Sequence, residues 1–339
     1  MQHVKIFIID GLVGGFLLAI PVGYFMPFDP ASYNLPLFLG LAFALVIVGA
    51  LLTKLLHIKA GVQTVGTVLF GKADPTQEVK PWFKTFWGLE LTFAFGILLA
   101  LSIKGTEFSL RELGNPDGFQ GALRIFSALL NPNWSVLHEG VVEMVKTIFI
   151  AFLATALAVP VAFLLSFLCA RNIMGKSKIG LTIYTILRSY FNITRSIEPI
   201  VWAIIFSSWV GIGPFAGMLA LFIHSAASLA KLYSEQIECV DNDPIEGIQA
   251  TGANPLQVLW YAIVPQVVMP HLGFTIYRWD INIRMATIIG FVGGGGIGSM
   301  LFQFQGKGEW EKVGTIVILV TIVVWSMDTL SSYIREALK

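Results

Sequence analysis

The sequence predicts an all-α polytopic membrane protein with about eight transmembrane helices, and three observations carry that prediction. Hydrophobic residues make up 55% of the 339 positions, and charged side chains only 13%, roughly half the share of an ordinary globular chain. Mean hydropathy is +0.75. The apolar residues gather into runs of about 20, the length that crosses roughly 30 Å of hydrocarbon. A formal net charge of +1 leaves no acidic or basic tail for a polyanion. Together these features exclude a soluble enzyme, a nucleic-acid binder and a disordered scaffold. The two cysteines, Cys169 and Cys239, have neither metal-ligand spacing nor a disulfide framework.

The runs fall at about 6–26, 36–56, 86–103, 140–169, 180–211, 214–233, 266–292 and 313–334. The first has only Lys5 ahead of it and no small-residue cleavage site after it, so it reads as a helix and not as a signal peptide. The fifth is long and irregular; its opening part, Gly180 to Arg195, reads as interfacial before the chain turns inward. Orientation follows lysine and arginine. Lys54, Lys59, Lys72, Lys80 and Lys84 crowd the second loop, Arg171, Lys176 and Lys178 follow the fourth run, and Arg335 and Lys339 close the chain, whereas 27–35 has none. Eight crossings with both termini in the cytoplasm satisfy this pattern. The segment 105–139, with its turn-forming Asn115-Pro116 and Asn131-Pro132, then lies outside, and 233–265 lies in the cytoplasm.

The cytoplasmic segment has local structure of its own. Asp243 reads as an N-cap, Pro244 suits the first helical position, and Glu246 three residues on completes a capping box. Gly252 ends the short helix, because glycine accepts the left-handed conformation there. Pro255 starts a second short helix running through Gln257 and Tyr261 to Pro265. By itself this is a capped amphipathic loop helix. The spacing Glu246, Gly252, Pro265 resembles the EAA loop of ABC-importer permeases: Glu-Ala-Ala, three residues, Gly, nine residues, Ile, one residue, Leu-Pro. Gly247 and Ile248 stand for the alanines, Ala262 for the isoleucine and Val264 for the leucine. Gly247 should weaken the helix by up to about 1 kcal/mol. The stretches Thr275–Arg284, Ile289–Gly298, Pro132–Leu137 and Arg195–Pro199 look like the phosphonate-type branch of that family.

The resemblance covers about 130–338. It implies a type I, methionine-importer-like permease core at 140–339, preceded by accessory transmembrane helices in 1–104 whose role it does not define. It also implies the membrane subunit of a binding-protein-dependent importer in the inner membrane, for a small phosphorus oxyanion such as phosphonate or phosphite. In that family the loop sits in a groove of an ATP-hydrolysing subunit, so Asp243, Glu246, Gly252 and Pro265 shape the expected ATPase-coupling loop. Two ATPases, an external binding protein and a second copy of the chain are the implied partners.

No ATPase is expected within the chain itself. Gly66 to Gly71-Lys72-Ala73 fits the phosphate-loop spacing until Ala73, which has no hydroxyl for magnesium. Gly175-Lys176-Ser177 has Ala170 where the first glycine belongs. ATP and Mg are therefore expected on the partner subunits, with no cofactor or metal here. Gly293, Gly294, Gly295 and Gly296 read as a candidate gate or hinge, a flexible break where backbones approach closely.

Charged side chains at helix centres cost about 2.5–3.5 kcal/mol on insertion scales, so each needs a reason. At about 100° per residue, His271, Thr275, Arg278 and Asn282 share one face of the seventh run. Together with His224 they form the candidate substrate pathway, in which an unpaired Arg278 would suit an oxyanion; pairing of Arg278 with Glu198 is an equal reading. Asp280 and Arg284 are spaced for a structural ion pair. His224, Ser228, Lys231 and Glu235 make a second stripe, and Arg188, Asn192 and Arg195 a third. These faces either enclose an aqueous path or meet a partner subunit, and either histidine taken singly reads more readily as a hydrogen-bonded helix-packing residue than as a ligand. No catalytic constellation is apparent. An ion-coupled secondary transporter or channel for a small anion is the competing reading, without the internal repeat it calls for.

Overall fold

The computed structural model describes residues 2–25, 35–60, 63–70, 81–175 and 177–338; among them every regular element is helical. The chain divides into two compact units, Met1–Asn115 and Pro116–Lys339, and the division falls inside the 105–139 segment.

The first unit contains α1 (Gln2–Phe25), α2 (Leu35–Ala60), α3 (Val65–Phe70), α4 (Phe86–Gly105) and α5 (Leu110–Leu113). Glycines 14, 15 and 49 let α1 and α2 approach backbone to backbone, as small residues do between membrane helices. Thr85 caps α4 by accepting the Gly88 N–H. Much of α4 is exposed, including Leu89, Phe93 and Phe95, as expected of side chains whose solvent is lipid.

The second unit runs through α6 (Pro116–Leu129), α7 (Leu137–Leu168), α8 (Arg171–Met174), α9 (Lys178–Ser196), α10 (Pro199–Val210), α11 (Pro214–Glu238), α12 (Asp243–Ala250), α13 (Pro255–Val258), α14 (Val264–Ile289), α15 (Ile297–Gly306) and α16 (Trp310–Ala337). Helix α11 is its axis. Ala220, Ala227 and Ala230 are fully buried or nearly so, as are Ala151, Ala154 and Ala158 on α7. These small faces let the two helices pack closely, and α9, α10 and α14 close around them. Leu221, Leu229 and Tyr233 fill the space between.

Among the described residues five stretches are long and apolar enough to cross a membrane: Phe86–Gly105, Trp134–Leu168, Pro214–Glu238, Pro255–Val292 and Trp310–Ala337. The fifth run of the sequence is not one irregular span. Glu198 is extended at φ −61°, ψ 145° ahead of Pro199, the conformation a following proline favours, and this separates amphipathic α9 from α10. At 12 residues α10 is about 18 Å long, short of a full crossing by itself. Lys72, Lys80, Lys176 and Lys339, used for orientation, lie outside the described residues, as do Gly71–Ala73 of the phosphate-loop look-alike; its Gly66–Phe70 part is helical in α3.

Candidate coupling segment and substrate path

The 241–265 segment forms a knob, with one correction to its cap. Helix α12 begins at Asp243, so Asn242 is the N-cap, and neither it nor Glu246 makes a capping side-chain bond. Asn242 already has helical angles, φ −82° and ψ −24°, and Asp241 accepts the Asp243 N–H at 3.3 Å instead. The reciprocal box lies one helix later. Gln257 N–H donates to Asn254 Oδ1 at 2.9 Å, and Asn254 N–H to Gln257 Oε1 at 2.8 Å. Gly252 is left-handed at φ 78°, as its place at the helix end requires.

The second helix does not stop at Pro265. It passes through a π turn, Leu259–Ile263, into α14, where Pro265 sits in the first turn. The helical path is unbroken from Pro255 to Val292, so knob and span are one continuous rod, and the wide turn just ahead of Pro265 is where the N–H that proline lacks is accommodated. Two contacts weld α12 to it. Gln266 Oε1 accepts the Asp241 N–H at 2.9 Å while its Nε2 donates to the Asp241 carbonyl at 3.3 Å. Ile245 packs on a small core of Ala170, Ile237, Ile263 and Val267. The outward side carries exposed Glu246 with exposed Leu256, Trp260 and Tyr261. A short segment that exposes three large apolar side chains together with an acid is a surface that gains from being covered. Gln266 escaped the sequence reading; a polar residue directly after Pro265, at the mouth of a span, was the available signal.

The proposed pathway stripe is reassigned by its packing. Asn282 is fully buried, with Nδ2 donating to Thr155 Oγ1 of α7 at 2.8 Å and to Ser225 Oγ of α11 at 2.8 Å. Arg278 Nε donates to the same Ser225 Oγ at 3.1 Å. Arg278 is buried and forms no ion pair with Glu198 among the described residues. His271 stacks on Tyr233, ring centroids 4.0 Å apart, and its Nε2 lies 3.3 Å from the Tyr233 carbonyl. Thr275 meets the Tyr233 hydroxyl at 2.5 Å, and His224 Nδ1 lies 3.1 Å from the Ile197 carbonyl. All five side chains therefore contact neighbouring segments in this conformation: the four of α14 meet α7 and α11, and His224 of α11 meets the backbone where α9 ends. Thr155, Ser225 and Tyr233, which complete the network, are ordinary residues in apolar runs and give no signal in sequence.

The other stripes are also engaged. Arg188 reaches Glu238 at 3.0 Å and Glu235 at 3.3 Å, and Lys231 lies 3.8 Å from Glu235. Asp280 and Arg284 form the expected ion pair. Asp280 is buried, whereas the Arg284 side chain is 45% exposed on an open groove of about 450 Å³ shared with Thr287, Thr321, Trp325 and Asp328.

Gly293–Gly296 is a packed turn in this conformation and not a loose break. The Gly293 carbonyl accepts the Gly213 N–H at 2.8 Å, and the Gly294 N–H bonds to the Ile289 carbonyl at 3.0 Å. Gly296 has φ 71°, and a Cβ there would run into Thr147 Oγ1, which accepts the Ile297 N–H at 2.8 Å. The close approach of backbones expected here is present; the slack is not.

Residues 162–339 match the family described as binding-protein-dependent transport system inner membrane component. The chain belongs to that family: it is a membrane-embedded transport subunit. A phosphite transport system permease protein of Stutzerimonas stutzeri is 31% identical over 223 residues, 66% of this chain and 80% of that one. A phosphate-import permease protein of Mycolicibacterium smegmatis is 31% identical over 63% of this chain but only 40% of its own length. A putative cryptic phosphonate transport system permease protein of Escherichia coli is 40% identical over 119 residues, 35% of this chain and 98% of that one.

Proposed function

We propose that this chain is the permease of an ATP-driven, binding-protein-dependent importer for a small phosphorus oxyanion, with ATP hydrolysed by a separate subunit. The observation that carries the reading is the knob: an exposed acid and exposed apolar side chains on a segment welded by Gln266 to a helix that continues across the membrane. Closure of an ATPase around α12 moves Asp241, and the two-point clamp passes that displacement to α14. The substrate class rests on relatives named for phosphite, phosphate and phosphonate. Two copies of the chain, two ATPases, an external binding protein and cytoplasmic termini complete the proposal.

On this reading Arg284, not Arg278, faces the anion. Its guanidinium is anchored by buried Asp280 and half-exposed in a groove that holds two threonine hydroxyls and also the Asp328 carboxyl, so it offers donors to phosphate-type oxygens against the opposing charge of Asp328. The test is substrate-stimulated ATP hydrolysis by the purified transporter with its ATPase. Glu246→Lys is expected to release the ATPase or abolish stimulation, and Arg284→Ala to lower stimulation about tenfold or more with assembly intact. Unchanged stimulation in Glu246→Lys sinks the coupling assignment; unchanged stimulation in Arg284→Ala sinks only the anion path.

A further inference from the structure

Asp10 on α1 and Glu90 on α4 are both buried in the first unit, in runs otherwise almost free of charge. Their surroundings differ. Asp10 is satisfied: Oδ2 accepts from Thr64 Oγ1 at 2.7 Å and Oδ1 from the Gly66 N–H at 2.6 Å. Glu90 is 7% exposed and takes a backbone hydrogen bond from Val65, but its Oε2 has no partner. The two carboxyls stand close enough to repel each other, and among the described residues neither pairs with a lysine or arginine. A buried oxygen left unmet beside like charge is destabilising, so something should meet it.

Glu90 lies on a groove of about 350 Å³ whose other walls are apolar except for Thr53, among them Leu18 of α1, Leu52 of α2, and Leu89 and Phe93 of α4; the Thr53 hydroxyl is occupied by the Gly49 and Ala50 carbonyls. The outer edges of Leu52, Leu89 and Phe93 remain exposed. Glu90 is the fifth residue of α4, about 6 Å along its axis. With Phe86–Gly105 taken as the crossing, that places the carboxyl a few ångströms inside the hydrocarbon edge, within reach of a headgroup amine, and Phe93 lies about one turn deeper. A ligand that fits has a cationic hydrogen-bond donor at one end and a hydrocarbon body at the other.

We propose that this groove binds a phospholipid with a primary ammonium headgroup, the ammonium donating to Glu90 Oε2 and an acyl chain lying along Leu18, Leu52 and Phe93. Charge complementarity selects the head. A quaternary choline has no N–H to give, and a glycerol headgroup brings a net negative charge toward two carboxyls.

The test is native mass spectrometry of the full-length chain, delipidated in mild detergent and titrated with phosphatidylethanolamine, phosphatidylcholine or phosphatidylglycerol of identical acyl chains. Phosphatidylethanolamine is expected to bind about tenfold more tightly than either of the others, and Glu90→Gln to erase that preference. Leu52→Trp, which keeps the carboxyl and narrows the groove, is expected to lower retention of the lipid. Equal binding of all three lipids overturns the proposal, as does a preference that survives Glu90→Gln. Retention undiminished in Leu52→Trp, or a groove filled by another polypeptide, also overturns it.

Discussion

Each of the two units buries a polar cluster where apolar side chains would be cheaper, and the two clusters are completed differently. In the second unit Asn282, Ser225 and Thr155 bond to one another across three helices and Arg278 Nε joins at Ser225, while Ser228 Oγ and His271 Nδ1 of the same unit are left without partners among the described residues. In the first, Asp10 is met by Thr64 and Gly66 while one oxygen of Glu90 is left over. A closed network specifies how its helices pack, because any slip leaves buried donors unmet. Polarity inside a membrane is therefore not by itself a pathway: where the bonds close it holds helices together, and where an atom is left over the surroundings decide its use, a lined groove beside Glu90 and packed helices around His271 and Ser228.

The comparison can be broken most forcefully at Asn282, which joins α14 to both α7 and α11. Asn282→Leu should cost about 2 kcal/mol, because it removes the bonds that tie α14 to Thr155 and Ser225 and crowds a fully buried position. Thermal unfolding in detergent measures it, and an unshifted midpoint would deny that the network holds the helices together. Glu90→Met should act in the opposite direction. Removing an unmet buried oxygen from lipid-free protein is expected to raise stability by about 1 kcal/mol, and a loss of similar size would place Glu90 among the structural residues. Thr155→Val sharpens the contrast with the smallest effect. One interhelical bond in a membrane protein averages about 0.6 kcal/mol, so the same assay should register a small fall, and none if the bond is incidental.

Periodicity made part of this legible. It put His271, Thr275, Arg278 and Asn282 on one face of α14 and paired Asp280 with Arg284 across a turn. It could not say what the face meets, since Ser225 and Thr155 have no reason to stand out until three helices are assembled. The knob was legible from its glycine, prolines and acid, but the capping box was read one motif early. Asp243-Pro244-Ile245-Glu246 and Asn254-Pro255-Leu256-Gln257 have the same form, and only the second has an N-cap residue in the extended conformation that a capping side chain needs. Asp10 and Glu90 were visible all along as lone acids in apolar runs. Nothing in a one-dimensional pattern says that they come within reach of each other.

The π turn at Leu259–Ile263 has a consequence for chain length. It inserts one residue more than an α-helix would use between the knob and α14. Deleting a single residue there would let the rod wind as a plain α-helix, and because the wide turn takes up its extra residue with little change of helical phase, the docking face would keep roughly its azimuth. Pro265 would then stand inside an ordinary helix with its ring against the carbonyl four residues back, so the deletion should cost stability at that proline and not re-aim the knob.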